Sequence, residues 1–71
     1  MSWKKVFENG SPVRAEIVKS ILLEHEIPAV VLNKQESVYK IHGYYEVLVP
    51  AGEVMKALNI VANEVRFESE G

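Results

Sequence analysis

A chain of 71 residues makes one domain and leaves no room for a second. Ten glutamates against eight lysines and arginines give a net charge of -2, which lacks the basic footprint of a nucleic-acid binder. The absence of cysteine excludes disulfides and thiolate metal sites, and fits a reducing cytoplasm.

Residues 1–71 are expected to form a single soluble domain, with 68–71 a frayed tail. The longest apolar runs, such as Ile27 to Leu32, fall far short of the roughly 20 residues of a membrane-spanning helix. Glu8 and Asn9 follow Lys4 and Lys5 too soon for a secretory signal.

Trp3 to Phe7, aromatic at both ends, reads as a short strand broken by Asn9-Gly10. Ser11 stands where an N-cap belongs and Pro12 at the first helical position, where a missing N–H costs nothing. Val13, Ile17, Ile21 and the stem of Glu24 follow i, i+4 spacing, and Val18 and Leu22 widen that stripe. Pro28 limits the helix, because the residue before a proline is pushed out of the α region.

Ala29 to Leu32 is apolar on both alternating faces, as in a strand covered on both sides. Asn33 to Ser37 reads as a polar loop, and Val38 to Ile41 as a hairpin arm ended by Gly43. Tyr44 to Val49 carries the strongest alternation, with Tyr45, Val47 and Val49 on one face and Tyr44, Glu46 and Leu48 on the other. A second helix starts at Pro50-Ala51-Gly52, with Glu53 in its first turn. Its stripe is Val54, Leu58 and Val61, flanked by Met55 and Ile60, and Asn63 is its left-handed terminator. Glu64 to Glu68 alternates as a fourth strand; a helix continuing to Phe67 is the competing reading.

The order strand–helix–strand, twice, predicts an α+β, ferredoxin-like βαββαβ sandwich. Right-handed crossovers place both helices on one face of a four-stranded antiparallel sheet. The other face is then left without helices, and Leu48 and Tyr44 would leave it apolar, a surface that suits pairing with another chain or a ligand.

Chemistry is sparse. His25 sits at a helix end that favours positive charge, and His42 in a loop beside Tyr44 and Tyr45. Their separation has no metal-ligand spacing, so no metal site is expected. No nucleophile elbow surrounds a serine, and no Gly-rich phosphate loop occurs, so no catalytic residue and no cofactor are assigned. Arg14, near a helix start, together with His42, Tyr44 and Tyr45, forms the candidate mouth for a ligand or partner.

The string Ala15-Glu16-Ile17-Val18-Lys19, then Leu22-Leu23-Glu24-His25-Glu26-Ile27-Pro28-Ala29-Val30-Val31-Leu32-Asn33, then Tyr45-Glu46-Val47-Leu48-Val49-Pro50 and Ala57, resembles a small bacterial family of unknown function. Its members are called putative prokaryotic signal-transducing proteins and are grouped with PII-type regulators of ferredoxin-like fold. The resemblance spans roughly residues 3 to 62. It brings no catalytic residues. Together with the open sheet face, it leads to the expectation of a non-enzymatic regulatory or protein-interaction module, self-associating through that face or an edge strand. The alternative it carries is a PII-like small-molecule or nucleotide sensor. Members often have glycine directly before the Ile-Pro pair, where a helix ends left-handed. Here it is Glu26, whose β-carbon makes that conformation costly, so a different turn is expected.

Overall fold

The computed structural model describes residues 2–34 and 44–65. It shows an α+β fold with a three-stranded antiparallel sheet and two helices. The elements are β1 (Trp3–Asn9), α1 (Pro12–Glu24), β2 (Val30–Lys34), β3 (Tyr44–Pro50), a 3-10 turn (Ala51–Glu53) and α2 (Val54–Glu64). β3 lies in the middle, antiparallel to β1 on one side and β2 on the other.

Local chemistry sets the first turn. The Asn9 side chain accepts the Ser11 N–H at 2.8 Å, and Ser11 Oγ accepts the Arg14 N–H at 3.2 Å. Ser11 is the extended N-cap and Pro12 opens the helix, as the sequence indicates.

The other end corrects the sequence reading. Glu26 does take the left-handed conformation, with φ of 65°. Its N–H donates to Leu23 O at 2.9 Å, and the Ile27 N–H reaches back to Leu22 O at 3.0 Å. That pair of bonds is a Schellman motif, which satisfies carbonyls the helix would otherwise leave unpaired. Leu22 and Ile27, the two residues joined by the longer bond, are both fully buried. Packing of these two side chains holds Glu26 in place against its own conformational preference. Pro28 then forces the exit toward β2.

The buried cluster comprises Val6, Ala15, Val18, Leu22, Ile27, Val47, Val49, Ala57 and Ile60. Both helices therefore pack into the same layer as the Val47 and Val49 face of β3. A shift in register between Lys5 and Phe7 inserts Val6 as an extra residue in β1. The bulge lets Val6 join the core while Phe7 packs against it, which unbroken alternation would forbid.

The expected stripe of α1 is rotated. Its buried side is Ala15, Val18 and Leu22, whereas Val13 is 66% and Ile17 42% exposed. At 100° per residue, Val13 and Ile17 point nearly opposite to that core face. The helix is apolar on both sides, so spacing alone could not choose between them. Small Ala15 permits a close approach to the sheet where a bulkier residue would hold the helix away. In α2 the buried residues are Ala57 and Ile60; Leu58 and Met55 are exposed, and Val54 and Val61 are half-buried.

Three further expectations change. β2 is an edge of the described sheet and has one helix-covered face, because Val30 and Leu32 remain exposed while Val31 packs on the core. Asn33 and Lys34 continue that strand opposite Tyr45 and Tyr44 rather than opening a loop. Asn63 lies inside α2, where its amide donates to Asn59 O at 2.9 Å and Asn59 Oδ1 at 2.8 Å. The helix ends instead at Val65, which is extended, with φ of −90° and ψ of 122°.

Of the expected fourth strand, Glu64 closes α2 instead, and residues 66–68 lie outside the described residues, as does the hairpin arm Val38 to Ile41. The competing helix to Phe67 stops short, at Glu64. The two helices also meet at their C-terminal ends, where His25 Nε2 lies 3.1 Å from Glu64 Oε1. In the antiparallel helix pair of a ferredoxin-like sandwich those ends would stand about 16 Å apart, at 1.5 Å per residue over the length of α2. The described residues thus share the strand order of that arrangement but not its helix pairing.

Candidate functional site

Successive side chains of a strand point to opposite faces, and this divides the candidate mouth. Tyr45, opposite Asn9 and Asn33, is on the helix side and packs partly on the core. Tyr44, opposite Lys34, is on the other side. Arg14 is half-buried in the first turn of α1, at the end of the sheet where β3 begins. His42 lies outside the described residues. Arg14 and Tyr45 therefore share a layer, but Tyr44 cannot join them.

The helix-free face is assembled by register. Across the sheet run Lys5, Leu48 and Val30 in one row, then Glu8, Glu46 and Leu32, then Tyr44 and Lys34. Trp3 stands opposite Pro50 at the other end. Trp3 is 43%, Val30 39% and Leu32 43% exposed, and Leu48 is half-buried.

On the β1 side of this face Lys5 is paired with two carboxylates. Lys5 Nζ lies 2.7 Å from Glu8 Oε1 and 3.7 Å from Glu46 Oε2. The hydrogen bond to Glu8, followed by the attraction of that carboxylate and of Glu46, raises the Lys5 pKa above its ordinary value. The apolar residues gather toward β2, where Leu48, Val30 and Leu32 adjoin.

A shallow open groove of about 340 Å³ runs along the outer side of α1, lined by Pro12, Val13, Glu16, Ile17 and Ser20. The sequence marked Val13 and Ile17 as apolar partners, but assigned them to the core. The His25–Glu64 contact between helix ends was invisible in sequence, since its members lie 39 positions apart. Among the described residues every buried side chain is apolar, and no group of three potential ligands could hold a metal ion. No helix among them is long and apolar enough to cross a membrane.

Residues 3–64, from the first residue of β1 to the last of α2, match a family model described as putative prokaryotic signal transducing protein. The chain belongs to this family. The match covers every described strand and both helices. Its description names signal transduction and gives neither ligand nor reaction. No curated protein and no solved structure matches the chain.

Proposed function

We propose that this member of the family is a non-enzymatic regulatory module of the cytoplasm, which works by associating with further copies of itself through its sheet. The observation that carries the reading is the helix-free face, where Trp3, Val30 and Leu32 lie exposed around Leu48. Apolar side chains gathered on one face of so small a domain are costly in water and gain by being covered. A chain of 71 residues without cysteine also has little core and no crosslink of its own, which favours added burial through association. Signal transduction in the family description suits a module that changes state by changing partners.

Sedimentation velocity over a range of protein concentration tests this. The reading expects a mass above that of one chain, rising with concentration. A mass of one chain throughout would remove the reading.

A further inference from the structure

The two edges of the described sheet differ in a way that points to how such copies meet. β1, on one edge, carries a bulge at Val6 and the exposed charges Lys4, Lys5 and Glu8. Bulges and charges are the devices that keep an edge from recruiting another strand. β2, on the other edge, has neither proline nor bulge, and its register with β3 runs unshifted from Val30 to Lys34. Its one charge, Lys34, stands at its end. Its outward-facing backbone N–H and C=O groups have no strand partner among the described residues. Such a row is chemically complementary to another extended strand.

We infer that the outer edge of β2 pairs antiparallel with β2 of a second copy, centred on Leu32, joining two sheets into one. This inference rests on the self-association proposed above and names its surface. The sequence of the strand supports a second copy as its occupant. In the antiparallel register centred on Leu32, all five residues pair. Leu32 meets Leu32 of the other copy, Val30 meets Lys34 and Val31 meets Asn33. No like charges are opposed, and the lysine stem can lie along the valine. On the helix-free face, the Leu48, Val30 and Leu32 patches of the two copies become one apolar strip across the joint. Pairing thus satisfies the backbone edge and enlarges apolar contact in a single step. A two-fold axis closes the assembly at two copies through this edge.

The cysteine-free chain makes the test direct. Residues directly opposed in an antiparallel pair have β-carbons about 5 Å apart, near the span of a disulfide. Under mild oxidation Leu32→Cys is expected to form a disulfide-linked dimer. Trp3→Cys, on the same face but two strand spacings across the sheet and four residues along it, roughly 16 Å from Leu32, is expected not to. Leu32→Lys, which places charge on an exposed edge residue, is expected to weaken the association at least tenfold while leaving the thermal melt of the fold intact. A dimer that crosslinks through Trp3→Cys and survives Leu32→Lys would overturn the edge pairing but keep self-association. A chain that stays single and crosslinks at neither position would overturn both.

Discussion

Replacing Glu26 by glycine should stabilise this protein. Glu26 carries two costs in the structure. Its φ of 65° places a β-carbon in the left-handed region, at a cost of roughly 1–2 kcal/mol. Its carboxylate also follows the C-terminal end of α1, where negative charge is disfavoured by about 0.3–1 kcal/mol. Glycine removes both, but loses roughly 0.5–1 kcal/mol through the greater freedom of its unfolded chain. The balance is a gain of about 1 kcal/mol, or about 4–8 °C in melting temperature for a domain of this size. Two controls separate the terms. Glu26→Gln removes the charge alone and should give a smaller, salt-sensitive gain. Glu26→Asn removes the charge and tolerates the left-handed region, so it should approach glycine. Thermal and urea melts at two salt concentrations provide the readout. If Glu26→Gly melts no higher than Glu26→Gln, the backbone is not strained there and the Schellman ending is wrong.

Ser11→Ala removes the cap on α1 and should cost about 1 kcal/mol, read as a lower urea midpoint. Gly52→Ala should stabilise by about 0.4–1 kcal/mol, because its φ is not positive and an added β-carbon meets nothing within 4 Å. The rotated face of α1 has its own test: Leu22→Ala should lose about 2–5 kcal/mol, while Ile17→Ser stays within about 0.5 kcal/mol. The Lys5 pKa is raised in the folded state, so its stabilisation is fully present below the ordinary lysine value and is lost as pH rises through the raised one. An alkaline urea series should show that loss in the native chain at low salt, and Glu8→Gln should reduce it.

Much of this architecture was legible because single residues leave the backbone few choices. Ser11-Pro12 fixes the start of α1 through a cap and a preset φ, and Ile27-Pro28 fixes where the chain turns extended. The alternation around Val47 and Val49 identifies the covered face of β3, because burial on one side demands a period of two. The face of α1 was legible only in part: Val18 and Leu22 lie on it as expected and Ile21 packs beside it, but Val13 and Ile17 are equally apolar and tertiary contact alone turns them outward. Glu26 was misread for the opposite reason. Local preference argues against its conformation, but the buried Leu22–Ile27 pair overrides it. Within the candidate mouth, Tyr44 and Tyr45 are neighbours in a strand and face opposite sides of the sheet, a division the alternation of the sequence already contained. Leu32 was hidden within an apolar run that suggested burial on both sides. Only the sheet order shows it to be on an edge.

Sedimentation equilibrium of the native chain beside Leu32→Lys probes the central claim most directly. The account expects twice the single-chain mass for the first and a shift toward one chain for the second. Equal masses for the two proteins, whether both single or both paired, would contradict it.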